Sequence, residues 1–310
     1  MAESRGEFAL IDWLRRNSAG HALVEAGIGD DAAILHSASG RTLVTADMLM
    51  DGVHFRLGES RPEAVGRKCL AVNLSDIAAM AGRPVAAFVC VALPREGGER
   101  LAKRLYDGMR PLAEQFEVAI AGGDTNTWDG PAVVSVTVLG EPVGKGPVLR
   151  SGAQPGDWLM VTGALGGSLG GRHLTFEPRV QEAVALSARV DLHAMIDLSD
   201  GLASDLRHIL RESNVGAIVE GADVPISSDV DSALSEAVRL HHALTDGEDF
   251  ELLFAVSPDE GAELIRDPPI ESPLRKIGTI TAEKHCRMIN HAGQTVELPC
   301  GGWEHGFNTP

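Results

Sequence analysis

Basic residues are scarce relative to acidic ones: 27 Lys and Arg against 44 Asp and Glu leave a net charge of −17 over 310 residues. No clustered cationic surface is visible, which argues against a nucleic-acid partner. Aromatic residues are also few, at 4% with a single tyrosine, so the cores must be built mainly from Ala, Val, Leu and Ile. The four cysteines, Cys69, Cys90, Cys286 and Cys300, have neither CxxC spacing nor a zinc-type histidine pattern, which points to reduced, buried thiols. No apolar run reaches the roughly 20 residues of a membrane span, and MAESRGEFALIDWLRR lacks an apolar signal core. A cytoplasmic protein without a membrane partner is expected. Also missing are a GxxxxGK[ST] phosphate loop and a kinase HRD or DFG series.

What is present is periodic. Phe8, Leu10, Ile11 and Leu14 share a helical face, so the chain should open with a short helix. AAILHS and RTLVTADML look like strands paired around a turn at Ser39-Gly40. AVGRKCLAVNLSDIAAMAG reads as a helix, VAAFVCVALP as a strand, ERLAKRLYDGMRPLAEQF as an amphipathic helix, VAIAGGDT as a strand ending in a Gly-rich turn and PAVVSVTVLGEPV as an alternating strand. Gly and Pro then become dense through GKGPVLRSGAQPGD, which sets a domain boundary near residue 150. Beyond it the pattern predicts strand DWLMVTG, helical GGSLGGRHL, a helix around VQEAVALSARV, strand-turn MIDLSDGL feeding helix LASDLRHILRES, and further strands at AIVEG, GEDFELLFAVS, KIGTI and CRMIN. Helices alternate with strands in both halves, as in α/β or α+β domains.

The aspartates fall at recurring places. GIGDDAAIL sets Asp30 and Asp31 side by side, where neighbouring carboxylates repel unless a donor or cation offsets them. TADMLMDGVHF (Asp47), NLSDIAAM (Asp76), AGGDTNT (Asp124) and IDLSDGL (Asp197, Asp200) each place an aspartate where an apolar segment is expected to meet a polar turn. One such residue is ordinarily a cap or turn former. Several converging would supply the hard oxygen ligands that Mg²⁺ shares with phosphate. GALGGSLGG offers backbone N–H groups ahead of a helix, a weak signal for an anion.

Taken in order, GIGDDAAIL, TADMLMDGVHF, AVNLSDIAAMAGRP, AGGDT, GDWLMVTGALGGS, IDLSDGLASDL, GEDFELLF and the closing GGWEHGF resemble the thiamine-monophosphate kinase family, from about residue 5 to the end. This family lies in the aminoimidazole-ribonucleotide-synthetase-like superfamily. The resemblance implies a two-domain PurM-like fold: an α/β domain over residues 1–148 that binds ATP and metal and dimerises through its sheet, and an α+β domain over 149–310 that completes the site. It implies ATP-dependent phosphorylation of thiamine monophosphate to thiamine diphosphate by a homodimer. Several Mg²⁺ ions would be held by Asp31, Thr45, Asp47, Asp76, Asp124, Asp197 and Asp200, with Asp30 close by. ATP would meet Tyr106, Gly123, Asp124, Arg150 and Ser199, and thiamine monophosphate would meet His54, Glu248 and Trp303. No protein group need act as catalytic base.

The residue types suit these roles. Arg150 can clamp phosphate bidentately, and the Trp303 indole suits a cationic thiazolium. His54 beside Phe55, and Glu248 or Asp249 ahead of FELLF, have ordinary structural roles open to them. One departure stands out: the family commonly carries a hydroxyl before the aspartate of TADM, and here that residue is Ala46. The alternatives are another ATP-using superfamily member or a catalytically lapsed nucleotide- or metal-binding regulator. A selenophosphate synthetase would want a reactive Cys near the N-terminus, and the hydrogenase-maturation relative a C-terminal Cys where this chain reads FNTP.

Overall fold

Along VVSVTVLGEP the side chains alternate, and Val134, Val136 and Val138 are fully buried on one face. The computed structural model describes residues 11, 14–16, 22–37 and 40–303. Of the expected opening helix, Ile11 and 14–16 are helical; Phe8, Leu10, Ser39 and the residues after Trp303 lie outside the described ones. The valine-rich strand is β6 (Val133–Pro142) of a six-stranded sheet. Its other members are β1 (Val24–Ala26), β2 (Ala33–Ser37), β3 (Gly40–Met50), β4 (Gly82–Pro94) and β5 (Ala119–Trp128). The order is β1-β2-β3-β6-β4-β5, antiparallel except between β4 and β5.

Two helices line this sheet. α1 (Pro62–Ala79) starts on a proline, whose missing N–H costs nothing there, and α2 (Gly98–Gln115) buries Leu105, Met109 and Leu112 along one stripe. α1 is buried on nearly every side, polar Lys68, Asn73 and Ser75 included. A helix without an exposed face must have neighbours all round, and it touches the first sheet, α2 and three elements of the second domain. Its backbone meets that of α2 directly: a Cβ at Gly66 would lie 2.0 Å from the Leu105 carbonyl oxygen, and one at Gly108 1.8 Å from that of Glu63.

The second sheet contains β7 (Trp158–Thr162), β8 (Ala194–Asp197), β9 (Gly216–Glu220), β10 (Leu252–Val256), β11 (Leu274–Thr281), β12 (Cys286–Ile289) and β13 (Thr295–Glu297), ordered β13-β12-β9-β11-β7-β10-β8. Alternation along β7 and β10 divides two cores. Met160, Leu252, Phe254 and Val256 join the core shared with α1 and with α3 (Val180–Arg189). Leu159, Val161, Leu253 and Ala255 face α4 (Leu202–Ser213) and α5 (Glu236–Thr245). A last helix, α6 (Pro258–Arg266), follows β10 and is capped by the Ser257 side chain.

Four expectations are corrected. Asp47 lies inside β3, Asp76 inside α1 and Asp124 inside β5, which continues through the Gly-rich stretch as strand, so none of the three is a turn residue. GGSLGGRHL forms two 3₁₀ turns, Ser168–Gly170 and Arg172–Leu174, because positive-φ Gly167 and Gly171 interrupt any longer helix. Its N–H groups do not form an open anion cradle: Gly166 and Gly167 donate to the Asp249 and Asp246 carboxylates at 2.9–3.0 Å. Of the cysteines, only Cys69 is fully buried, and Cys90 and Cys300 are exposed.

Candidate active site

Because α1 is enclosed, its polar residues point into the molecule. Lys68, Val72 and Asp76, spaced i, i+4, i+8, line a cleft of about 370 Å³ between the two domains. β3 contributes Asp47, the turn after it His54, the end of β8 Asp197, the following loop Ser199 and Asp200, the 246–250 loop Glu248, and the C-terminal segment Trp303. That 246–250 loop is strained, since the non-glycine residues Glu248 and Phe250 have φ of 57° and 52°. Such conformations cost about 1–3 kcal/mol each and persist where the surroundings hold them.

Carboxylates crowd the floor. Asp31, Asp76 and Asp197 bring oxygen atoms within 4.8 Å of one another. Thr45 Oγ1 donates to Asp76 at 2.5 Å, Ser75 Oγ to Asp197 at 2.5 Å, and the Asn73 side chain accepts from the Asp47 backbone N–H at 3.2 Å. Arg150 forks onto Asp31, with Nε and Nη2 at 3.0 and 2.9 Å, while its backbone N–H donates to Asp30.

Burial, then the charges of Asp47, Asp197 and Asp31, push the Asp76 carboxyl far above its usual range; burial and then Asp31 do the same to Asp197. Asp47 is pushed up to about 6 by burial, although its hydrogen bond with Asp76 works the other way. Asp30 rises to about 7 through burial and the neighbouring Asp31. These groups ionise together only if positive charge offsets them. Buried hard-oxygen donors of this density fit a divalent cation such as Mg²⁺.

Residues 29–141 match the N-terminal domain of AIR synthase related proteins, and residues 154–290 match their C-terminal domain. The thiamine-monophosphate kinase of Rhodopirellula baltica is 43% identical over 88% of this chain and 89% of its own length. That of Bacillus subtilis is 36% identical over 96% and 99%. The chain belongs to the thiamine-monophosphate kinase family. A solved structure of AaThiL complexed with AMPPCP and TMP shares the two-domain PurM-like fold, with a TM-score of 0.83 and 28% identity over 97% of each chain.

Within this member of the thiamine-monophosphate kinase family the residues singled out in the sequence fall into two places. Asp47, His54, Asp76, Asp197, Ser199, Asp200, Glu248 and Trp303 line the central cleft, with Asp31, Thr45 and Arg150 bonded to its floor. Tyr106, Gly123 and Asp124 line a second groove of about 280 Å³, between α2 and the edge strand β5. There Asp124 accepts from Thr125 N–H and from the Asn126 side chain, and its carboxylate is not in the Asp31–Asp76–Asp197 group. A Cβ at Gly123 would lie 1.7 Å from the Val89 carbonyl oxygen, so only glycine fits at φ 149° there. Ala46 is exposed while Thr45 is buried, and strand alternation turns position 46 to the face opposite Thr45 and Asp47. A hydroxyl at 46 would therefore point away from the cluster.

Three residues go unnoticed in the sequence. Lys68 lies in the cleft wall, its side chain only 1% exposed and paired with Glu248. Asp205 accepts from the backbone N–H groups of Asp200 and Gly201, and with Asp200 and His208 forms another close group. The signal for Lys68 was its i, i+8 spacing from Asp76 on one helix.

These shifts set a pH dependence. A carboxyl whose folded value is raised binds protons in the folded state that it loses on unfolding, so its contribution is present at low pH and fades as pH rises. Asp30, Asp47 and Asp249, at about 7, 6 and 7, place that window between about 4 and 7. Asp76, Asp197 and Asp205 extend it upward. His208, pushed down to about 4 by burial and by Arg150, opposes them between 4 and 6.5, one group against six. In chelator, Tm should fall from pH 5 to pH 8; a flat or rising Tm would show that these carboxyls are not perturbed.

Proposed function

We propose that this chain transfers the γ-phosphate of ATP to the phosphate of thiamine monophosphate, giving thiamine diphosphate and ADP. The observation that carries this is the meeting, in one interdomain cleft, of a buried carboxylate cluster with an indole, an imidazole and a further carboxylate. The cluster suits phosphates accompanied by cations, and Trp303, His54 and Glu248 suit a flat cationic heterocycle. The solved relative complexed with AMPPCP, an ATP analogue, and TMP supports this substrate pair.

Asp31, Asp47, Asp76, Asp197 and Asp200 would hold Mg²⁺, with Thr45 and Ser75 orienting two of the carboxylates. Bound there, Mg²⁺ would supply positive charge to offset the phosphate oxygens. The thiamine phosphate is already ionised at neutral pH, so its oxygen attacks the γ-phosphorus without a protein base; the bond to the β-phosphate oxygen breaks and ADP departs with the electron pair. Transfer is direct, and positioning and electrostatics supply the rate. Tyr106, Gly123 and Asp124 would take part in ATP binding, with Asp124 also able to carry Mg²⁺, while Ser199 and Arg150 meet the phosphates. An ATP- and metal-binding domain over residues 1–148 and a domain over 149–310 that completes the phosphate and substrate site would divide between β6 and β7. Two copies would pair in the cytoplasm through the outer face of the first sheet, where Val85 and Phe88 are exposed.

Trp303, 53% exposed at the cleft mouth, would stack on the thiamine ring. In an ADP-release assay, Trp303→Ala should raise KM for thiamine monophosphate by the equivalent of about 0.5–2 kcal/mol and leave KM for ATP nearly unchanged. Equal effects on both would make Trp303 a structural residue and remove the aromatic wall from this account.

A further inference from the structure

The wall of the cleft contains one buried cation bonded to residues from both domains, and from it we infer that Lys68 is a positioning residue for the thiamine ring. It fixes Glu248 of the second domain and the main chain at His54 of the first in one arrangement, so the ring-binding wall is assembled across the domain boundary. This rests on the reading that the cleft takes thiamine monophosphate.

Lys68 Nζ donates to the His54 carbonyl oxygen at 2.8 Å and pairs with the Glu248 carboxylate. Burying a lysine is costly, and an apolar side chain of the same length would serve packing as well. Its use here therefore points to what it holds. The Glu248 backbone is already fixed: its N–H donates to the Ser199 carbonyl at 2.7 Å, and its carbonyl accepts from Ser168 Oγ at 2.5 Å. The direction of the carboxylate is the remaining freedom, and Lys68 sets it. His54 is prepared in a similar way, because its Nδ1 accepts from the Met50 N–H at 3.1 Å, which leaves the proton of a neutral ring on Nε2. With its charge directed to Glu248, Lys68 holds that carboxylate in place on the wall assigned to the organic cation. Its hydrogen bond and ion pair are with His54 and Glu248, not with the aspartates assigned to the phosphate end.

The test is steady-state kinetics on Lys68→Met, Lys68→Gln, Glu248→Gln and the Lys68→Met/Glu248→Gln double variant, with Tm recorded for each. Lys68→Met should raise KM for thiamine monophosphate about tenfold or more, keep KM for ATP within about twofold and leave the nucleotide-linked Tm shift in place. If Lys68→Met fails to fold, Lys68→Gln, which keeps a donor without the charge, should show the same split. The double variant should fall short of the product of the two single effects, because both changes remove the Lys68–Glu248 pair. Multiplying effects, or KM values for both substrates rising together, would overturn the inference. Absence of turnover by the unmodified chain overturns the substrate reading as well, whereas normal turnover with an unchanged KM in the Lys68 variants overturns the role of Lys68 alone.

Discussion

Asp76→Asn should lower turnover by about 100-fold or more while the metal-free protein melts no earlier than the unmodified one. Asp76 stands among Asp31, Asp47 and Asp197, and each of these charges raises the cost of ionising it. Asparagine keeps the shape and an oxygen for the Thr45 hydroxyl, and its amide can donate to a neighbouring carboxylate. A buried carboxyl whose ionisation is penalised is removed from the site, so stability should hold or improve. The same change removes an oxygen ligand of full charge, and the Tm increase produced by Mg²⁺ with nucleotide should shrink accordingly. Activity and the Tm increase must fall together. Near-normal turnover with an undiminished Mg²⁺ response would make Asp76 a purely structural residue and displace the proposed metal site from α1.

Arg150→Met should act in the opposite sense on the metal-free protein. The Asp31 side chain is 1% exposed and its main cationic partner is the Arg150 guanidinium, bonded at both oxygens. Removing one member of such a buried pair leaves an uncompensated charge and costs about 3–5 kcal/mol. Tm in chelator should drop by several degrees. Because a divalent cation can offset Asp31 in place of the guanidinium, Mg²⁺ with nucleotide should recover more Tm in this variant than in the unmodified chain. A variant that melts normally in chelator would show that Asp31 is neutralised by something other than Arg150. A variant that is destabilised but gains nothing extra from Mg²⁺ would separate Asp31 from the cation site.

Much of this site was legible in the sequence, and the parts that were not have identifiable physical causes. The ordered aspartate motifs other than AGGDT located the cleft, because they lie where strands and helices of the interior approach the domain junction, whereas Asp124 lines the groove beside β5. The local setting differs from expectation for Asp47 and Asp76, since a carboxylate within an element looks unfavourable until the other domain and its hydrogen-bond partners enclose it, and for Asp124, because β5 continues through the Gly-rich stretch as an exposed edge strand. Lys68 was hidden for the same reason: its value lies in contacts with His54 and Glu248, 14 and 180 positions away in the chain. Arg150 was read as a phosphate clamp, and it also forks onto Asp31, a pairing across 119 positions that no local pattern encodes. The helices α5 and α6 escaped notice because they are short and bury few residues, Leu240, Ala243 and Leu244 in one and Gly261 and Leu264 in the other.

The account is tested most directly by ³¹P NMR of the chain mixed with ATP, thiamine monophosphate and Mg²⁺. The expected result is loss of the thiamine monophosphate signal and growth of the two coupled resonances of thiamine diphosphate in step with ADP, with no reaction when thiamine replaces its monophosphate or when chelator replaces Mg²⁺. Release of inorganic phosphate alone, or formation of ADP without thiamine diphosphate, would contradict it.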